Sequence, residues 1–305
     1  MDDRLIPIAD APLGAERALD KPDPHEARAT LWRARFLVLT AALLWSLSGF
    51  FVKAPALEGW PGPVIAFWRA AFACVVLWPL VRRPSWTWKL IPMTAMFAGM
   101  NYSYLTAMAQ GSAANAIWLQ CTAPVWVLLV GVLVFRERSI WRDWLLVAFV
   151  AAGVGAILYY ESRGAALEAV GWGLTSGVCY AGVVLSLRHL REHDAVWLAA
   201  LNHLVTAAVL APLAIGGTDF PSGVQWLLLA GLGIFQMGLP YVLFGRALKH
   251  IPGHEAAGVA MVEPILVPVW VYLAWGDRTQ GWTIIGGGLI LLGLAIRYFQ
   301  PKSRK

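Results

Sequence analysis

Ten apolar runs follow one another along this chain, near residues 35–53, 62–81, 90–109, 112–135, 142–160, 167–187, 195–215, 223–245, 253–275 and 281–299. A helix needs roughly 20 apolar residues to cross the hydrocarbon core. Only helices and closed barrels cross lipid with every backbone N–H and C=O paired. Barrel strands alternate with period two, and these runs do not. The prediction is an all-α integral membrane protein with ten transmembrane helices. Composition agrees, since 59% of the 305 residues are hydrophobic and 14% charged. Soluble domains average about 45–50% and 25%. Disorder, collagen, a disulfide scaffold and an ordinary cytosolic enzyme are thereby disfavoured. Cys74, Cys121 and Cys179 fall inside apolar runs and read as small core residues.

Basic residues set the orientation through the positive-inside rule. Twenty of the 24 Lys and Arg fall in the tails and alternate loops, among them Arg82, Arg83, Arg136, Arg138, Arg188, Arg191, Arg246 and Lys249. Lys53, Arg163 and Arg278 fall on the other side, and Arg69 lies within a span. Both termini are therefore expected in the cytoplasm, in a bacterial-type inner membrane. The net charge of +6 is explained by topology, without a nucleic-acid partner. Residues 1–30 are polar, carry Pro7, Pro12, Pro22 and Pro24, and have no stretch fit for a signal peptide. They read as a flexible tail, and 300–305 as a short basic one. Most of the 17 Trp lie near span ends as interface anchors. Trp45, Trp68, Trp118 and Trp126 lie deeper.

The chain also matches itself. At a shift of 140, Ala107, Ala116, Pro124, Val127, Glu137, Arg138 and Gly153 meet Ala247, Ala256, Pro264, Val267, Asp277, Arg278 and Gly293. A shift of 133 sets Pro79 on Pro212. A shift of 135 sets Trp45 on Tyr180 and Lys53 on Arg188. Matched spans differ by five, an odd number, so the second copy would run upside down. Two inverted five-helix repeats, 31–160 and 161–299, are expected, an architecture of secondary transporters with sites near the midplane.

The motifs that accompany this pattern are Leu43–Leu44–Trp45–Ser46, Phe67–Trp68–Arg69, Ala123–Pro124, Phe135–Arg136–Glu137–Arg138, Val262–Glu263–Pro264 and Trp275–Gly276–Asp277–Arg278. In their order and spacing the chain resembles the drug/metabolite transporter superfamily in its EamA-type ten-helix form, across about 35–299. The polar tail and Trp richness resemble the aromatic-amino-acid exporter branch, YddG. Asp277 departs from the usual Glu. The resemblance implies a central cavity lined by spans 1, 3, 4, 6, 8 and 9, with export of small metabolites.

Glu263 is the leading site residue. A carboxylate within a span is costly unless paired or wetted. With Pro264 it suits a substrate ammonium or a coupling proton, or else a structural pair with Arg69. Arg69 suits a bidentate contact with a substrate carboxylate, or locks two helices. Asn115, Trp118, Thr122 and Trp126 share one helical face, as cavity lining or as polar glue. Asn101 and Tyr104 form a stripe in span three. Gln236 and Tyr241 flank Pro240 in span eight. Trp45 with Ser48, and Tyr180 with Ser176, are the counterparts in spans one and six. Pro124, Pro240, Pro264 and Pro268 are expected to bend helices. His203 suits proton coupling or packing. Gly286–Gly287–Gly288 reads as close helix packing, which suits a homodimer interface as well as an intrachain one. His254–Glu255 lacks the second His of a zinc-protease helix, and the chain carries no P-loop and no catalytic dyad.

The expectation is a secondary transporter with no cofactor, metal or enzymatic activity. It would export aromatic and other hydrophobic amino acids, with a multidrug or other metabolite exporter of the same fold as the alternative and an intramembrane enzyme or a membrane scaffold as the less favoured ones.

Overall fold

A computed structural model of the chain describes residues 24–161, 167–216, 220–251 and 253–298. The described residues form helices α1 (Pro24–Trp45), α2 (Ser48–Val52), α3 (Gly62–Leu77), α4 (Leu90–Gln110), α5 (Ala113–Gln120), α6 (Ala123–Leu133), α7 (Trp141–Glu161), α8 (Leu167–His189), α9 (Ala195–Ile215), α10 (Val224–Gly233), α11 (Leu239–Ala247), α12 (Gly253–Ala260), α13 (Glu263–Trp275) and α14 (Gly281–Tyr298). Joined across short breaks, they trace the ten expected spans. The first helix begins at Pro24, inside the segment expected to be tail. Proline at a helix start is tolerated, because the first N–H groups have no partner there.

Eight of the spans are long and apolar enough to cross a membrane, and Gly281–Arg297 is apolar but shorter. The third span, α4, is more polar than the expectation allowed for. Its Asn101, Ser103, Tyr104 and Thr106 are all buried in protein. That half of α4 is surrounded by other helices and does not face lipid, so it need not be lipid-like, whereas Ile91 and Met96 near its start are exposed. Elsewhere the outer surface is apolar. Trp86, Trp88, Ile91, Leu133 and Leu227 are all exposed, a surface that fits hydrocarbon and not water.

Four spans are interrupted near their middles. Span one breaks at Ser46–Leu47, span four at Cys121–Thr122 and span nine at Met261–Val262. Local chemistry accounts for each. Ser46 Oγ donates to the Leu43 carbonyl at 2.6 Å and Thr122 Oγ1 to the Leu119 carbonyl at 2.7 Å. Such back-bonds compete with the helix ladder. Pro124 and Pro264 sit in the first turn of the restarted helices α6 and α13. Span eight widens instead into a π turn at Ile234–Gly238, where Pro240 offers no N–H to the Gln236 carbonyl.

Backbone details recur 140 residues apart. Gly111 N donates to Ala107 O, as Ile251 N does to Ala247 O. Thr122 N donates to Leu119 O, as Val262 N does to Val259 O. Arg136, at φ 54°, is the one non-glycine of positive φ among the described residues, and Gly276, at φ 70°, stands 140 residues on.

The two ends of the bundle differ. At the end remote from the basic loops, α2 packs on α13, α10 and α4, and α5 packs on α13. Seven of the eight residues of α5 are buried there. In α12, its counterpart at the basic end, Ala256 is buried while Gly258, Val259 and Ala260 are half-buried. At the basic end α6 packs on α8 and α7, whereas α12 packs on α1. The remote end is thus the more closely covered of the two. Glycines hold span ten against spans five and four. A Cβ on Gly153 would overlap the Gly286 carbonyl oxygen, and one on Gly287 would overlap the Trp118 ring. Gly286 and Gly287 serve packing within the chain, while Gly288 is exposed and meets nothing.

Candidate functional site

The breaks in spans one, four, eight and nine are bridged by side-chain contacts, and a polar network lies beside those of spans one and eight. Arg69 on α3 is its centre, at 1% exposure. One guanidinium nitrogen donates to Asn101 Oδ1 on α4, and another to Gln236 Oε1 in the π turn at 3.4 Å. The guanidinium also lies 5.8 Å from the centre of the Tyr104 ring. Its Nε has no partner among the described residues. This buried cation is therefore held by neutral amides and an aromatic face, with donors to spare.

The surrounding groups are tied to the helix breaks. Asn101 Nδ2 donates to the Phe97 carbonyl at 2.8 Å. Gln236 Nε2 donates to the Trp45 carbonyl at 3.1 Å, just before the break in span one. Ser48 and Tyr104 share a hydrogen bond of 3.0 Å. The Tyr241 ring meets Trp45 edge-on at 5.6 Å and His203 at 5.8 Å, and Phe244 adds a second ring beside Trp45 at 5.2 Å. His203 is fully buried, with neither ring nitrogen partnered among the described residues.

Glu263 does not pair with Arg69. It forms none of the ion pairs found among the described residues, which are Arg35–Glu255, Arg188–Glu137 and Arg297–Asp143. It stands within electrostatic reach of Arg69, Tyr104, Tyr241 and Cys121. The residue is half-buried, at the first position of α13 just after the break in span nine.

Trp118 connects span four to span nine. Pro268 has no N–H, so the Pro264 carbonyl loses its helical donor. Trp118 Nε1 supplies one at 2.9 Å. Thr122 accepts from Trp126 Nε1 at 3.2 Å and lies against Gly177.

Seven of the residues singled out from sequence thus come together: Trp45, Ser48, Arg69, Asn101, Tyr104, Gln236 and Tyr241. Glu263 faces them, and Trp118 holds the span that carries it. Asn115 turns elsewhere, donating to Glu161 Oε1 on α7 at 2.8 Å. Tyr180 is 41% exposed on α8. Sequence reasoning misses Trp270. Its Nε1 donates to Ser46 Oγ at 2.8 Å, at the break in span one. Its signal was a position seven residues beyond Glu263, on the same helical face.

The model of the EamA-like transporter family matches this chain twice, at residues 32–159 and 167–299. An uncharacterized transporter of Archaeoglobus fulgidus is 26% identical over 267 residues, covering 86% of this chain and 94% of that protein. The pseudopaline exporter CntI of Pseudomonas aeruginosa is 26% identical, covering 84% and 92%. One solved crystal structure aligns at a TM-score of 0.61 and 20% identity, over 89% of this chain and 99% of that one, a likeness of fold alone. These relatives carry nothing specific to the aromatic-amino-acid exporter branch, so that finer resemblance reaches no further than the family. The two family matches together span nearly all of the described helices, and the chain belongs to the EamA-like transporter family, as a multi-pass membrane transporter and not an enzyme.

Proposed function

We propose that this chain is a secondary exporter of aromatic and other hydrophobic amino acids, working by alternating access in a bacterial-type inner membrane. Both termini lie in the cytoplasm, and two inverted repeats, 31–160 and 161–299, exchange conformations. The observation that carries the reading is the charge arrangement at the broken helices. A buried guanidinium is held by neutral groups with donors unused, and a carboxylate without an ion-pair partner faces it. A zwitterion fits such a pair of poles, its carboxylate toward Arg69 and its ammonium toward Glu263. Trp45, Tyr104, Tyr241 and Phe244 provide rings for an aromatic side chain to meet edge-on or offset. The less covered basic end is then the cytoplasmic mouth.

The test is labelled tryptophan flux into liposomes holding the purified protein, with and without a pH gradient. Flux competed by phenylalanine is expected. Glu263→Gln should cut it on the order of tenfold or more, the worth of one charge-assisted hydrogen bond. Folding should be spared, because no partner is lost. Absent flux from folded protein sinks the amino-acid reading. The unpartnered Glu263 would then favour a cationic compound, and competition by organic cations would show it.

A further inference from the structure

The two ends of the bundle carry related charges in different arrangements. At the basic end, Arg188 closes α8 onto the loop after α6 through a 2.8 Å ion pair with Glu137. Lys53 and Asp277 hold the equivalent places at the remote end, 135 and 140 residues away in sequence. They are not in contact. Lys53 Nζ instead donates to the Gly111 carbonyl at 2.5 Å, pinning the end of α2 to the loop before α5. Asp277 and Glu58 act on Lys53 electrostatically. Gly111 has its own equivalent in Ile251, with the same backbone hydrogen bond one turn back.

We infer that Lys53 and Arg188 each exchange partners during turnover, so that an ion pair forms at whichever end is open and a loop carbonyl is held at whichever end is closed. The present structure is one half of the cycle. Arg188 holds Glu137 at the less covered end, taken here as the open one, and Lys53 holds Gly111 at the more covered end. Interchanging the two repeats gives the other half. Lys53 then pairs with Asp277, and Arg188 moves to the Ile251 carbonyl. Each basic residue thus always has a partner, and neither end state leaves a cation stranded near the membrane. The inference rests on the inverted-repeat reading above.

The two acids should therefore bias the cycle in opposite directions, because each pair exists in one state only. Spin labels at Arg138→Cys and Lys249→Cys, both exposed at the basic end, report its width. The background has Cys74, Cys121 and Cys179 replaced by Ala, and the full chain is held in lipid nanodiscs. Glu137→Gln should lower the ratio of wide to narrow conformers by roughly two- to five-fold, and Asp277→Asn should raise it as much, the span set by exposed ion pairs. Swapping the charges, Glu137→Arg with Arg188→Glu, rebuilds the pair of the wide state but loses the donor for the Ile251 carbonyl in the narrow one, so it should bring the ratio back up to the original value or above it. Shifts in the same direction, no shift in either, or a swap that restores nothing would overturn the exchange. The distances need no substrate. Lost tryptophan flux with opposite shifts intact sinks the substrate alone, and intact flux without the shifts sinks the exchange alone.

Discussion

Trp118 offers a sharp test of how span nine is held. Its indole N–H meets a carbonyl that exists as an orphan only because Pro268 stands four residues on. Trp118→Phe removes the donor but keeps an aromatic ring over Gly287, which the indole contacts closely. An unsatisfied buried carbonyl costs about 1–3 kcal/mol, and the smaller ring adds about 1 kcal/mol of lost packing. Pro268→Ala changes the premise, since the alanine introduced there brings the N–H that the Pro264 carbonyl lacks. In that background Trp118→Phe should cost only the packing. The coupling between the two sites is then about 1–3 kcal/mol, well above the few tenths expected of independent positions. A double-mutant cycle on purified protein, unfolded by denaturant in detergent, measures it directly. An equal cost of Trp118→Phe in both backgrounds would refute the claim that Trp118 acts through this carbonyl.

Two other substitutions separate packing from function. Gly153→Ala should destabilise by about 1–3 kcal/mol, because its Cβ would overlap a backbone oxygen of α14. Gly155→Ala, on the same helix, meets nothing and should leave the melting temperature unchanged or slightly raised. Asn115→Ala should lower stability by about 1 kcal/mol through its lost bond to Glu161, yet leave amino-acid flux intact. A large flux defect would put Asn115 back in the site.

Much of the fold could be read in the residues. The ten runs follow from apolar length, and three of the four breaks were signalled by Pro124, Pro240 and Pro264. The site was legible in part, for the same reason. Polar side chains such as Arg69, Asn101, Gln236 and Glu263 stand out against apolar spans, and lipid would reject them. Asn115 stands out equally, yet it is spent on Glu161. One helical face gives a direction but not a partner, and α5 is covered on almost all sides. Trp270 was hidden because a Trp in a membrane span is ordinary until its N–H finds the hydroxyl of Ser46. The polarity of α4 was visible, but its central position was not.

The sequence alone determined that this chain crosses a membrane in helices and that its halves share a pattern. Hydrophobic length and proline chemistry act locally, so no knowledge of neighbours is needed. Tertiary structure decided the pairings. Arg69 takes two amides in place of Glu263, Trp118 takes the carbonyl released by Pro268, and Lys53 takes Gly111 while Arg188 takes Glu137. Residues 32 to 167 apart meet in the two amide contacts of Arg69 alone. Which donor reaches which acceptor depends on how broken helices lean on one another, and that is set by the packing of the whole bundle.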